Sequence, residues 1–362
     1  MSLGHRLISA LTAPVIFKEN VIDVTVSIGV ALARQDGCGS EHLLKNADVA
    51  LYEGKTHGRN CLRFFSASMN DALHARVDME KTIRNAIIHG FFELHYQPFF
   101  QVSGTRLIGF EALIRMRSAD GRLVLPADFI PLAEELRLID EIGAWALREA
   151  SRTAMIWPPH LTIAVNLSPI QLEVGSVNSL VAATLKETGL DPQRLELEIT
   201  ESALLRDSQS SMVQLRTLQK MGVKVVMDDF GTGYSSLSYL WRFPFDKIKI
   251  DRSFMTGFSN SRHEAETVIK TIVGLGKQLH MVVTVEGVET AEQAEFLAEI
   301  DGDQAQGFFF GRPIPSSEIA AFILADYQNN NREYLALSRL RRLSDDRPAP
   351  IENSTAAIIA TK

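Results

Sequence analysis

The sequence predicts an α/β chain built around a (β/α)8 barrel of TIM type, on two observations. Eight short apolar runs alternate with helical segments over about 250 residues, the spacing such a barrel needs. Polar residues mark nearly every run, and polar groups at successive strand ends converge only where a sheet closes on itself. A doubly wound open sheet is the rival architecture, and it would spread the same groups along an edge. A small α+β unit precedes the barrel.

That unit occupies residues 1–68. Val15-Ile16-Phe17 and residues Ile22–Ala31 read as two strands joined by a Lys18-Glu19-Asn20 turn. Glu41–Lys55 follows as an amphipathic helix with Leu43, Leu44, Ala47, Ala50 and Leu51 on one face. After Gly58-Arg59-Asn60 a further strand is expected at Leu62–Phe65. Residues 69–77 are read as a linker and 78–328 as the barrel. Its strands are expected at Leu94–Phe100, Leu107–Met116, Leu161–Leu167, Leu195–Ile199, Val223–Met227, Ile248–Ile250, Met281–Val285 and Gly307–Phe310. Helical patterns cover Glu141–Trp157, Leu180–Thr188, Ser211–Met221, Arg262–Leu279, Ala291–Ile300 and Ser316–Tyr327. Residues 329–362 read as a basic amphipathic helix over Glu333–Leu343 and then a disordered tail.

Bulk composition narrows the function. A net charge of −7, with no basic run in the body of the chain, excludes a general electrostatic surface for nucleic acid. An anionic substrate would need metal ions or a few placed Arg and Lys. Cys38 and Cys61 are the only cysteines, and their spacing fits neither a zinc motif nor a disulfide framework. The first residues lack the apolar core of a signal peptide, and no apolar stretch reaches the roughly 18 residues of a membrane span. A cytoplasmic location is the expectation.

The chemistry gathers around Val226–Leu237. A Val-rich run ends in the adjacent carboxylates Asp228 and Asp229, and Gly231-Thr232-Gly233 leads into the next segment. Glu111 interrupts the second strand, Asn166 closes the third and Glu198 the fourth. Lys249 and Asp251 sit at the sixth, Glu286 closes the seventh, and Gln306 lies at the start of the eighth. Glu111, Asn166, Glu198, Asp228 and Asp229 are hard oxygen donors, which suits Mg²⁺ or Mn²⁺ and argues against zinc. Lys249 and Glu286 add groups that could orient and deprotonate a water. Two divalent ions about 3.5–4 Å apart form the template for phosphodiester hydrolysis. Singly, each residue has a plain structural explanation: an ion-pair partner for Glu111, a turn for Asn166, a helix cap for Glu198 or Asp229. Their joint position at strand ends does not.

Two resemblances join this reading. Val26-Ser27-Ile28-Gly29-Val30, Ala47-Asp48-Val49-Ala50-Leu51-Tyr52 and Lys55-Thr56-His57-Gly58-Arg59-Asn60 resemble the last third of a GGDEF (diguanylate cyclase) domain, without the signature turn or nucleotide-binding residues. The unit is therefore expected to be a truncated remnant that makes no cyclic dinucleotide. Residues 76–328 resemble the EAL family of cyclic-di-GMP phosphodiesterases through an ordered set of motifs. These include Glu111-Ala112-Leu113-Ile114-Arg115, Tyr96-Gln97-Pro98, Val165-Asn166-Leu167-Ser168, Glu198-Ile199-Thr200-Glu201, Asp228-Asp229-Phe230-Gly231, Lys249-Ile250-Asp251, Glu286-Gly287-Val288-Glu289 and Gln306-Gly307.

The resemblance implies a barrel with one antiparallel strand, and Glu111, Asn166, Glu198, Asp228 and Asp229 as ligands of two Mg²⁺ or Mn²⁺ ions, with Ca²⁺ inhibitory. It implies that Lys249 holds the nucleophilic water and that Glu286 is its base or a water-mediated metal contact. Gln97, Leu113, Arg115, Asp251, Glu289 and Gln306 would contact substrate or support it, and Glu201 would anchor the loop 230–239. A homodimer through the barrel is the implied assembly. Three departures stand out: Met116 where the family usually has Trp, Arg137 where Gly is common, and Asp301-Gly302-Asp303 in place of Gly-Cys-Asp. The expected activity is metal-dependent hydrolysis of cyclic-di-GMP to linear pGpG. A receptor that binds the nucleotide without turnover is the alternative, although such receptors typically lack ligands at the Glu-Ala-Leu triplet or the Asp pair. A dimerising scaffold is a third.

Overall fold

Strand pairing in a ring positions everything that follows. The computed structural model describes residues 3–12, 14–18, 20–22, 24–56, 58–103, 106–201, 203, 208–232, 240, 243–258 and 261–328. Two compact units emerge: Met1–Phe91 with Met116–Glu135, and Phe92–Arg115 with Leu136 onward.

In the first unit, α1 (Leu3–Leu11) precedes β1 (Val15–Phe17) and β2 (Asn20–Ile22), which pair antiparallel. The strand expected over 22–31 is divided. Its end forms β3 (Ile28–Val30), which pairs in parallel with β4 (Leu62–Phe64) across α2 (Ser40–Thr56). One continuous alternating run therefore serves two sheets, which periodicity cannot reveal. The segment 69–77, expected as a linker, lies inside α3 (Ala67–His89), which ends at Gly90 in the left-handed conformation that stops helices. The short β7 (Leu123–Val124) and α4 (Pro126–Glu135) complete this unit.

The second unit is the barrel. Its strands are β5 (Phe92–Gln101), β6 (Arg106–Arg117), β8 (Thr162–Asn166), β9 (Leu195–Thr200), β10 (Lys224–Phe230), β11 (Lys247–Ile250), β12 (Val282–Val285) and β13 (Gln304–Gln306). Pairing runs in that order from β6 to β13 in parallel, β13 meets β5 antiparallel, and β5 pairs with β6 to close the ring. The first strand thus opposes the other seven. Helices α5 (Ile139–Met155), α6 (Pro169–Val174), α7 (Val177–Thr188), α8 (Ser208–Lys220), α9 (Arg252–Gly257), α10 (Arg262–Gln278) and α11 (Ala291–Glu299) connect the strands. The edge strand β14 (Ile314–Pro315) pairs with β5.

Side chains alternate along each strand, so every second residue points into the ring. On β9 these are Glu196 and Glu198; on β11 they are Lys247 and Lys249. The deeper pair meets as Lys247 Nζ to Glu196 Oε2 at 2.5 Å, under the ring of Phe99, whose centroid is 4.5 Å from Nζ. The shallower pair belongs to the site.

The strand expected at Gly307–Phe310 is a turn, and β13 lies just before it. Gly307 explains the change. A Cβ there would stand 2.1 Å from Val288 O, so the chain passes flush against the β12 connection. Val288 N donates to Gln306 O at 3.1 Å, and Phe309 N donates to Val288 O at 3.0 Å. Gln306 consequently ends the eighth strand instead of starting it, which carries it to the same rim as the other strand-end polar groups.

Two family departures acquire a physical meaning. Arg137 (φ 58°) and Asp301 (φ 55°) are both left-handed, where glycine is favoured. Met116 is fully buried and alternates away from the face bearing Glu111, so its departure does not touch the site. Among the described residues Arg137 makes only an exposed 3.2 Å pair with Glu173, worth little. Relief of the left-handed cost, about 1 kcal/mol, should outweigh that pair, so Arg137→Gly is expected to raise the melting temperature by roughly 2–4 °C, read by circular dichroism.

Candidate functional site

Six strands and the segment after β12 deliver their polar groups to one end of the barrel. Lys249 Nζ is the hub. It lies 2.9 Å from Glu198 Oε2, 3.2 Å from Glu111 Oε2, 3.4 Å from Asp228 Oδ1 and 2.7 Å from Glu286 Oε1. Glu111 also accepts from Asn166 Nδ2 at 2.8 Å and from Gln306 Nε2 at 2.7 Å. Residues from β6, β8, β9, β10, β11 and β13 are thereby joined in one network.

Asp229 reaches the cluster by a local irregularity. Neighbours on a regular strand face opposite sides, yet Asp229 feels the charges of Asp228, Asp251, Lys249 and Glu111. Register between β10 and β11 shifts after Met227, and Asp229 adopts φ 54°, an irregularity of the kind that breaks strict alternation. Asp is among the residues that tolerate this conformation best.

Electrostatics follow from burial and crowding. Four carboxylates around one ammonium leave a formal excess of three negative charges. Burial alone would lower the Lys249 pKa, but Asp228, Glu111, Glu198 and Glu286 hold it well above the usual lysine value. Burial and the neighbouring Glu111 push Glu198 well above the ordinary carboxylate range. Glu111 goes the other way, because Lys249, Gln306 and Asn166 together outweigh its burial. Burial lifts Glu286 to about 7 against the pull of Lys249, and burial with Asp228 lifts Asp229 to about 6.

Above the cluster lies a cleft of about 300 Å³ bordered by Gln97, Glu111, Leu113, Asp228, Glu286, Glu289 and Gln306. Gln97 Nε2 donates to Gly311 O at 3.3 Å, and the Glu289 backbone N–H donates to Gln293. Arg115 is half-buried, its guanidinium donating to Ile114 O at 2.8 Å and facing the charges of Glu111 and Glu93. Asp251 caps α9, accepting from Ser253 N at 3.0 Å. Glu201 is buried just after β9, and neither of its carboxylate oxygens accepts a hydrogen bond among the described residues. Most of the loop it is expected to anchor, 233–239, lies outside the described residues, as does the 329–362 tail.

Arg252, Phe308 and Pro313 also border the cleft, and the sequence reading gives them no site role. Arg252 directly follows the Lys249-Ile250-Asp251 motif, and that adjacency was the available signal. A larger cavity of about 830 Å³ lies within the first unit, bordered by Tyr52, Arg76, Leu132 and Glu135. Arg76 there already pairs with Glu135 at 2.5 Å, and the lining holds no counterpart of the buried Lys249 among its carboxylates. The smaller cleft is the chemically equipped one.

Among the described residues, no three His, Cys, Asp or Glu side chains already form a cation cage, and Lys249 holds the centre. The donor set nevertheless fits a hard divalent ion. Its protein donors are oxygens, its excess charge is negative, and Asp228 Oδ1 is buried without a hydrogen bond.

The EAL domain family matches residues 80–313, and the diguanylate cyclase GGDEF domain family matches residues 1–61. An uncharacterized signaling protein of Caulobacter vibrioides is 45% identical over 324 residues, covering 89% of this chain and 40% of the relative. The bifunctional diguanylate cyclase/cyclic di-GMP phosphodiesterase MucR of Pseudomonas aeruginosa is 38% identical over 327 residues, 89% of this chain and 47% of its own length. The chain therefore spans under half the length of these relatives. The structure of the MucR phosphodiesterase in complex with c-di-GMP matches at 39% identity with a TM-score of 0.64, covering 67% of this chain and 99% of that one. No helix among the described residues is long and apolar enough to cross a membrane.

The buried carboxylates make stability depend on pH. Burial raises the Glu286 carboxyl to about 7 in the folded state, against its ordinary 4.5 when unfolded. Between those values the folded state binds the extra proton, so stability falls as pH rises from about 4.5 to about 7 and is flat beyond. In EDTA, Glu286→Gln should therefore lose less melting temperature between pH 5 and pH 8 than the parent, by a few °C. Equal losses in both proteins would refute the burial account.

Proposed function

Because the chain belongs to the EAL domain family, we propose that it hydrolyses one phosphodiester bond of cyclic-di-GMP, giving linear pGpG. The observation that carries this reading is the Lys249 hub, with four carboxylates within 3.4 Å of its ammonium under an open cleft. Glu111, Asn166, Glu198, Asp228 and Asp229 would hold two Mg²⁺ or Mn²⁺ ions. Such ions, when bound, offset phosphoryl charge and lower the pKa of a water.

The remaining roles belong to the chain. Lys249 donates to the attacking water and fixes its direction. Glu286 Oε1, 2.7 Å from Nζ, takes the proton from that water, as a positioned carboxylate can. Gln306 and Asn166 hold Glu111 in one rotamer through their hydrogen bonds. Gln97, Leu113, Arg115, Asp251 and Glu289 bind the dinucleotide. Glu201 anchors the loop after Asp229, and two barrels associate through that region. Residues 1–68 make no dinucleotide from GTP.

Incubation with cyclic-di-GMP and Mg²⁺, followed by separation of products, tests the activity. Mg²⁺ or Mn²⁺ should support turnover, whereas EDTA should abolish it and Ca²⁺ should inhibit. Glu286→Gln should slow hydrolysis by at least the roughly 10²-fold of a lost general base while changing nucleotide affinity far less. Binding without any turnover by the parent would replace the enzyme reading with a receptor.

A further inference from the structure

The cleft has an electrostatic problem that the hub does not solve. Four carboxylates border it, Glu111, Asp228, Glu286 and Glu289, and among its described lining residues Arg252 alone is cationic. Lys249 lies beneath, its ammonium outnumbered by the four carboxylates around it. Arg252 is the opposite case: its side chain is exposed and makes no hydrogen bond or ion pair among the described residues. Some exposed arginines of the barrel are engaged, Arg262 with Glu266 and Glu292 and Arg152 with Glu187; among the described residues Arg106 is not, but it does not border the cleft. An unpaired guanidinium at the lip of an acidic cleft is a preformed anion contact.

Backbone geometry holds it there. Asp251 caps α9 and fixes the turn from which Arg252 projects. Gly287, at φ 73°, has no Cβ because one would stand 2.6 Å from Arg252 Cβ and 3.0 Å from its Cα. The base of Arg252 therefore abuts the residue following Glu286. In the eight-strand ring, β11, which leads into Arg252, is four strands from β6, which carries Arg115. The two arginines arise on opposite sides of the mouth.

A cyclic dinucleotide carries two phosphates across one macrocycle, and only one is cleaved. We propose that Arg252 binds the second, non-scissile phosphate and makes the cleft selective for substrates that have two; this rests on the phosphodiesterase reading above. A substrate with a single phosphodiester has nothing to offer it.

The test compares parent, Arg252→Ala, Arg252→Gln and Arg252→Lys on cyclic-di-GMP and on bis(p-nitrophenyl) phosphate, which has one phosphodiester. Binding of cyclic-di-GMP is titrated separately in Ca²⁺. Loss of a charge-assisted contact should raise both KM and Kd for cyclic-di-GMP by roughly 10- to 100-fold in the Ala and Gln variants. The kcat for that substrate should move less than about threefold. Selectivity, the ratio of kcat/KM for the two substrates, should fall at least tenfold, with part restored in Arg252→Lys. Equal losses on both substrates, or an unchanged Kd, would overturn the proposal. If the parent binds cyclic-di-GMP without cleaving it, the enzyme reading fails while the Kd comparison still decides the role of Arg252. A parent that does not bind it at all removes both.

Discussion

One buried ammonium surrounded by carboxylates is the constraint on which the barrel interior depends. Neither Lys249 nor Glu198 could remain charged in that place alone, since removing an ion from water costs several kcal/mol. The arrangement holds because charges from separate strands arrive within 3.4 Å of one nitrogen. Only a closed ring can bring β6, β9, β10 and β11 to one point. Closure and chemistry are thus the same geometric fact, seen once in strand pairing and once in side-chain distances.

The negative excess around Lys249 has a directional consequence. A cluster that holds more carboxylates than its lysine can neutralise keeps some of them protonated or attracts cations. Burial and crowding favour the first by pushing the carboxyls of Glu198, Asp229 and Glu286 upward. The second is what the proposed divalent ions would satisfy. Glu111 escapes this pressure because Lys249 attracts it and Gln306 and Asn166 donate to it, while its neighbours compete.

Beneath the hub, Lys247 and Glu196 repeat the motif without access to the cleft. They are buried, pair at 2.5 Å, and sit two residues before Lys249 and Glu198 on the same strands. A buried pair of this kind is weak support for stability but punishes any shift that separates its partners. Since a one-residue slip would turn Lys249 and Glu198 out of the ring, we attribute to this lower pair a part in holding the register.

Much of this was written in local pattern. Seven of the eight barrel strands were legible as apolar runs, and the pairing places Glu111, Asn166, Glu198, Asp228 and Lys249 where polar residues marked those runs. The eighth strand was misread because Gly307–Phe310 is as apolar as any strand, while the true β13, Gln304–Gln306, is polar on both sides of Ala305. The split of residues 22–31 failed for a related reason: periodicity reports burial, not which partner a strand finds. Composition and motif order determined by themselves the kind of chemistry, an oxygen-rich site in an acidic α/β chain. Tertiary structure alone decided that Lys249 meets four carboxylates, that β10 breaks register around Asp229, and that Arg252 borders the cleft without a partner among the described residues. Those are contacts between residues tens to more than a hundred positions apart, and they exist only after the ring has closed.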